Sequence, residues 1–308
     1  MTDHNTAAEK WLKVMNDKPS FAGRMINSFK FDINLEDYAK MRKQAEKLAK
    51  FKLAHRGVSM QEVYFEDVRC EWICPEGAKE DKAILCLHGG GYVIGNGPYC
   101  HLAGIRVAGA TGFRTLTVDY RLAPEHPFPA ALDDAYTAYR GLLKLGISAS
   151  NIVFFGDSAG GGLCLSLCLK LKDDKEPLPA AVVVLSPATD LTGSGESHIT
   201  KAGIDPVFSK GHVRIANYYA HDHDLKDPYI SPAFGDYSGF PPLLICVGEN
   251  EILLSDSLMV GEKAYSQGVD VQVQVWKGMF HTFPIVGRAL PESREAWKEI
   301  ADFINSKL

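Results

Sequence analysis

The stretch Asn-Ile-Val-Phe-Phe-Gly156-Asp157-Ser158-Ala159-Gly160 constrains this chain more than any other part of it. Ile152 to Phe155 is a short β-branched and aromatic run that reads as a strand, and the residues from Ala159 to Lys172 read as a helix. A strand that passes straight into a helix needs a sharp turn. Its central residue then occupies strained backbone space, at a cost of about 1–3 kcal/mol. Small flanking residues let strand and helix approach each other closely, which is the role expected of Gly156 and Gly160. The free N–H groups and positive dipole end of the helix face the serine oxygen. The pattern therefore presents Ser158 as a candidate nucleophile rather than as part of an ordinary surface turn.

From about Gly57 onward the chain alternates β-rich with helical runs. Strands are expected within 63–73 (a hairpin or two strands), at 83–88, 113–120, 152–155, 181–185, 243–247 and 269–276. Helices are expected at 99–110, 129–145, 159–172, 254–267 and 289–306. Such alternation implies an α/β fold, with a mostly parallel sheet covered by helices on both faces. Two segments fall outside the rhythm. Residues 1–56 read as helical without a strand, and within them Leu35, Tyr38, Met41, Ala45 and Leu48 share one helix face. That amphipathic helix is expected to pack on the protein, since the stripe lacks the large anchors of a membrane-surface helix. Residues 190–230 interrupt the strand order and include a helix near 206–220. The division expected is 57–189 and 231–308 as the catalytic domain, with 1–56 and the inserted 190–230 meeting above the sheet as a cap.

Three further loops follow predicted strands. His88-Gly89-Gly90-Gly91-Tyr92 comes directly after Ala-Ile-Leu-Cys-Leu, and its glycines let backbone N–H groups face an oxygen without an intervening Cβ. The donors expected for an oxyanion are Gly89, Gly90 and Ala159, with His88 and Gly91 supporting the loop. A phosphate-binding glycine loop fits less well, since no Walker lysine is present and no Gly-x-Gly-x-x-Gly follows the first strand. His281 follows the last predicted strand and comes after the serine in the chain, as a base for Ser158 should. His88 precedes the serine and is expected to brace the glycine loop instead. After Leu243–Val247 the carboxylates Glu249, Glu251 and Asp256 compete to orient His281. Asp256 is expected to enter the next helix and Glu249 lies closer to the strand, so Glu251 is preferred.

Composition narrows the field. The chain has 308 residues, 46% hydrophobic and 23% charged, enough for a substantial core in an ordinary globular protein. A net charge of -5 with mixed signs leaves no basic stripe, which argues against nucleic acid and against electrostatic attachment to anionic membrane. No stretch approaches the roughly 20 apolar residues that span a bilayer, and the start has no signal-peptide pattern. Of seven cysteines, Cys86, Cys164, Cys168 and Cys246 sit in apolar runs, so a reducing cytoplasm without a disulfide framework is expected. The CxxxC pairs Cys70/Cys74 and Cys164/Cys168 lack a second ligand pair, and His221-Asp-His-Asp224 reads as a solvated loop. Neither a metal nor a cofactor is expected.

His88-Gly-Gly-Gly together with Gly156-Asp-Ser-Ala-Gly resembles the hormone-sensitive-lipase family of microbial esterases. Asp119-Tyr-Arg-Leu-Ala-Pro-Glu-His-Pro-Phe-Pro, Ser186-Pro-Ala-Thr-Asp-Leu-Thr-Gly-Ser-Gly-Glu-Ser and Asp227-Pro-Tyr-Ile-Ser-Pro extend the likeness over roughly 60–308. The resemblance implies an α/β-hydrolase fold, with an eight-stranded sheet and a helical cap, and hydrolysis of short to medium acyl esters by water. It also places the acid at Glu251, where many relatives carry Asp, and raises a homodimer paired along the last strand. The mechanism expected is acyl transfer through Ser158, His281 and Glu251. An amidase or peptidase would share this machinery, whereas a ligand-binding protein on a dead hydrolase would have lost the histidine or the acid. Trp11, Phe21, Met25, Phe29, Val207 and Phe208 are candidates to line the cap side of the site, with packing inside the cap as their plainer role.

Overall fold

Nine short runs rich in β-branched and apolar residues pair into one sheet in a computed structural model of the chain. The structure describes residues 8, 10–29, 38–49, 57–95, 101–208 and 212–308, with backbone alone at 44–49 and 212–215. The strands are β1 (Leu12–Met15), β2 (Val58–Phe65), β3 (Val68–Pro75), β4 (Ala83–Leu87), β5 (Thr115–Val118), β6 (Ile152–Asp157), β7 (Ala181–Leu185), β8 (Leu243–Gly248) and β9 (Val271–Trp276). Their order across the sheet is β1-β9-β8-β7-β6-β4-β5-β3-β2. Only the β2–β3 hairpin and the β3–β5 pair are antiparallel. The helices are α1 (Phe21–Asn27), α2 (Tyr38–Ala49), α3 (His101–Thr111), α4 (Ala130–Lys144), α5 (Ala159–Asp173), α6 (Ser197–Thr200), α7 (His212–Ala220), α8 (Leu254–Ser266) and α9 (Pro291–Lys307).

The central strands are buried on both faces, and their alternating side chains feed two separate cores. Leu85, Phe154, Val182 and Ile245 meet α4, α5 and α8 on one side. Ile84, Val153, Phe155, Val183 and Leu244 meet α3 and α9 on the other. The parallel strands therefore point their carboxyl ends the same way. The loops after β4, β6, β8 and β9 gather at one rim, which is where an open α/β sheet binds its ligands.

The amino-terminal part differs from expectation. Residues 1–56 do contain a strand, because β1 pairs in parallel with β9 from Leu12–Val273 to Met15–Trp276. The sheet thus has nine strands, one more than the eight implied by the resemblance. Four residues are too few to show a period, and backbone pairing with an open edge supplies what the local pattern lacks. Trp11 is buried over Gly261 and Val273 at that edge, while Phe21, Met25 and Phe29 are exposed. None of these four lines a cavity at the Ser158 rim among the described residues. The β1 strand also occupies the edge of β9 that a second copy would need for pairing along the last strand. The α2 helix packs on the protein, as its amphipathic pattern predicts. Tyr38 and Met41 rest on the main core, and Arg42 donates to the carbonyls of Val93 and Ala123 and to both oxygens of Glu125. Leu35 and the side chains of Ala45 and Leu48 lie outside the described residues.

Candidate active site

Ser158 stands between β6 and α5 with φ 52° and ψ −122°, a left-sided conformation that only a held backbone keeps. The holding is visible. Its N–H donates to Leu185 O at 2.8 Å, and its carbonyl accepts from Gly162 N at 3.1 Å and Ala188 N at 3.0 Å. Space matters as much as dihedral angle at this turn. A Cβ on Gly160 would collide with the carbonyls of Leu87 and His88, and one on Gly156 with the carbonyl of Gly160. Both glycines are needed for β4, β6 and α5 to come this close.

His281 comes from the loop after β9, 123 positions further along, and its Nε2 lies 3.0 Å from Ser158 Oγ. Its Nδ1 lies 2.8 Å from Glu251 Oε2. The carboxylate therefore fixes the tautomer in which Nδ1 carries the proton and Nε2 is free to accept one. Glu251 is fully buried, and its other oxygen accepts from Ser186 Oγ at 2.8 Å and from Gly248 N–H. Ser186 also accepts from Thr282 N at 3.0 Å, so one hydroxyl ties the loop of the acid to the loop of the histidine. Burial alone would lower the His281 pKa, but the hydrogen bond and charge of Glu251 outweigh it and the imidazolium is favoured. The ring is backed edge-on by Phe208, with centroids 4.7 Å apart.

The rival carboxylates have other tasks. Asp256 lies in the first turn of α8, as expected, and is completely buried. Its Oδ2 accepts from the N–H groups of Thr189 and Asp190, each at 2.8 Å, and its Oδ1 pairs with His198 Nε2 at 2.8 Å. Glu249 accepts from Gly278 N at 2.9 Å and so shapes the turn after β9.

His88 is buried, stacked on Tyr120 with centroids 4.1 Å apart, and its Nδ1 donates to Gly89 O at 2.8 Å. Burial lowers its pKa, and the neutral ring braces the glycine loop as expected. One expected donor is corrected. The Gly89 N–H donates to Asp157 Oδ1 at 3.0 Å and is not free for a substrate oxygen. The glycines that line the cavity with Ser158 are Gly90 and Gly91. Sequence alone could not rank three adjacent glycines. Ser186, His198 and Asp205 also escaped the sequence reading. Asp205 accepts from the N–H groups of Val207, Phe208 and Ile252, pinning the inserted segment to the Glu251 loop. The signals for Ser186 were its place just after a predicted strand and its lead position in the Ser-Pro-Ala-Thr-Asp run, neither of which gave it a task.

Asp157 yields a direct test. Burial pushes its carboxyl up to about 6, with the Gly89 hydrogen bond working in the other direction. A raised carboxyl favours the folded state while protonated. Its stabilising contribution is full below the ordinary value of about 3.9 and is lost as pH rises through about 6. Asp157→Asn keeps an oxygen for the Gly89 N–H and removes the buried charge. It is expected to raise stability by an amount on the order of 2 kcal/mol near about pH 8 and by almost nothing below about pH 4, read as the difference in Tm. A gain of equal size at both pH values would rule out the carboxylate charge as its cause.

Two cavities meet at Ser158. The larger, about 660 Å³, is lined by Gly90, Gly91, Ile94, Val207, Phe208 and His281 among others. The smaller, about 60 Å³, lies against Ala159, Ala188, Leu191, His198, Phe208 and Ala216. Val207 and Phe208 thus face the site, unlike the other four residues named as candidates for its lining. Among the described residues no three His, Cys, Asp or Glu side chains converge as metal ligands, and His221 and Asp222 are solvent-exposed. No helix among the described residues is long and apolar enough to cross a membrane. The six described cysteines are free thiols, and Cys100 lies outside the described residues.

Comparison with known proteins identifies the fold and the family. The family model of the alpha/beta hydrolase fold matches residues 84–285. An acetyl-hydrolase of Streptomyces hygroscopicus is 37% identical over 238 residues, covering 77% of this chain and 79% of its own length. An esterase of Acinetobacter venetianus is 35% identical over 251 residues, covering 81% and 82%. A crystal structure of an esterase from the bacterial hormone-sensitive lipase family superposes with a TM-score of 0.84 at 36% identity, covering 92% of this chain and 95% of that one.

Proposed function

The chain belongs to the bacterial hormone-sensitive-lipase family of α/β-hydrolases, and on that premise we propose that it is a serine carboxylesterase working through Ser158, His281 and Glu251. One observation carries the reading: His281 bridges Ser158 Oγ and Glu251 Oε2 by its two ring nitrogens, at 3.0 and 2.8 Å. Ser158 Oγ attacks the ester carbonyl carbon as its proton passes to His281 Nε2. The carbonyl oxygen, now negative, accepts from the N–H groups of Gly90, Gly91 and Ala159, where one donor is worth about 2.7–4 kcal/mol in the transition state. The carbon–oxygen bond to the alcohol then breaks, and the alcohol leaves with the proton held by His281. Water attacks the acyl-enzyme, gives its proton to His281, and the released acid leaves Ser158 protonated again. The cap over this rim comprises α2 and the described residues of 190–230.

The two cavities divide the ester between them. His281 lines the larger and must protonate the departing alcohol, so the alcohol occupies that side. The acyl group then occupies the smaller cavity of about 60 Å³. The acetyl-hydrolase and esterase among the relatives support an ester with a short acyl chain. In a nitrophenyl ester series, kcat/KM is expected to peak between acetyl and butyryl and to fall about tenfold or more by octanoyl, since forcing excess methylenes into a packed wall costs about 1–3 kcal/mol. A kcat/KM that still rises at octanoyl would remove the small cavity as the acyl site.

A further inference from the structure

Arg106 projects from α3 to the place where the active-site cavity meets a second groove. It lines both. Its Nε is buried without a hydrogen-bond partner, and no carboxylate among the described residues pairs with it. Buried donors in folded proteins are nearly always satisfied, and an exception at the wall of a binding cavity calls for a ligand as its partner. The guanidinium lies close to Gly287, the residue that ends the turn after His281. A Cβ there would stand 2.9 Å from Arg106 Cζ, and φ at Gly287 is 99°, so a glycine both permits the turn and leaves room for the cation.

The surroundings have the same sign. Arg288, Arg294 and Lys298 border the second groove with Arg106, against the single carboxylate of Asp302. Arg294 Nη1 is engaged by the carbonyl of Arg288, and all three of these cations are solvent-exposed. A chain of net charge -5 has therefore gathered four cations along a groove that shares Arg106 with its largely apolar active-site cavity. Arranged in this way they attract anions toward Arg106. A guanidinium with free donors suits a carboxylate or a phosphate, which can accept two parallel hydrogen bonds.

We propose that Arg106 is a specificity-determining residue that binds an anionic group, carboxylate or phosphate, carried on the alcohol portion of the ester substrate. The inference rests on the esterase reading, because the anion is assigned to the alcohol on the ground that His281 lines the same cavity.

The test compares three acetate esters on wild type, Arg106→Met and Arg106→Lys: phenyl acetate, which is neutral, 4-acetoxybenzoate, and acetoxyphenyl phosphate. Each variant is referred to wild type on the same ester, so differences in leaving-group reactivity cancel. Arg106→Met is expected to lose roughly 10–100-fold in kcat/KM on at least one anionic ester, mainly through KM, and less than about threefold on phenyl acetate. Arg106→Lys should recover part of the loss, and added salt should weaken only the anionic reactions. Activity of Arg106→Met on phenyl acetate serves as its own folding control. The ester that loses more identifies the anion. If wild type and Arg106→Met handle all three esters in the same proportions, the anion site is wrong while the esterase reading stands. If wild type fails to cleave phenyl acetate at all, the esterase reading falls and takes this inference with it.

Discussion

Ser158→Ala is expected to lower kcat on a short-chain nitrophenyl ester by about 10⁴–10⁶-fold while leaving Tm nearly unchanged. The size of the loss follows from the chemistry, since Ser158 Oγ is the hydrogen-bond partner of His281 Nε2 among the described residues. The lack of a stability effect follows from how the turn is held. The backbone bonds from Ser158 N to Leu185 O and from Gly162 N and Ala188 N to Ser158 O do not involve the side chain. Alanine keeps the Cβ, so the strain at φ 52° is also kept. Ser158→Ala combined with His281→Ala should be no slower than either alone, because the two side chains act as one unit. Turnover in purified Ser158→Ala above about one part in a hundred of wild type would end the assignment.

The second large effect separates Glu251 from Asp256. Glu251→Gln is expected to cost about 10²–10⁴-fold in kcat/KM with a folded protein. Glutamine has one acceptor oxygen, whereas Glu251 receives from His281, Ser186 and the Gly248 N–H. If the N–H₂ faces His281, the tautomer with a proton on Nδ1 is no longer held; if it faces the other way, it meets the Gly248 N–H, and in both cases the ring loses the carboxylate charge. The pH profile carries the same information. Glu251 raises the His281 pKa against the downward pull of burial, and the protonated ring cannot act as base. Activity in wild type should therefore fall with decreasing pH along a limb above the ordinary histidine value of about 6.5, and in Glu251→Gln that limb should move to lower pH. Asp256→Ala is expected to do the opposite kind of damage. It strips the partner from buried His198 and the acceptor from Thr189 and Asp190 N–H, a loss of about 3–5 kcal/mol. For a chain of this size that corresponds to a fall in Tm on the order of 10 °C, with turnover at low temperature largely preserved. Equal loss of turnover in folded Asp256→Ala and Glu251→Gln would leave no basis for naming Glu251 the acid.

Much of the site was legible because each part is announced locally. A β-branched run followed by glycine, serine or histidine marks a strand and the loop at its end, and such signals need no knowledge of the rest of the chain. The strands β4, β6, β7, β8 and β9 and the helices α4, α5, α8 and α9 lie where periodicity predicts them, within a few residues. Ser158 and His281 were legible for the same reason, each sitting just past a predicted strand in the chain order a hydrolase requires. Less local features were harder to read. The strand β1 is four residues long and owes its conformation to the open edge of β9, which no window around Leu12 contains.

What the sequence by itself determined is the alternating α/β order, the strained serine turn, and the short list of groups able to do the chemistry. Only the tertiary structure decided among near-equals. It set Glu251 rather than Asp256 or Glu249 against the His281 imidazole, gave the Gly89 N–H to Asp157, and left Arg106 Nε without a partner among the described residues on the wall of the cavity. The physical reason is common to all three. A hydrogen bond is made or missed within about an ångström, and the groups that make it here are brought together from distant points of the chain by the packing of β4, β6, β8 and β9 with α3. Local pattern fixes which atoms exist on a rim, and packing fixes which of them touch.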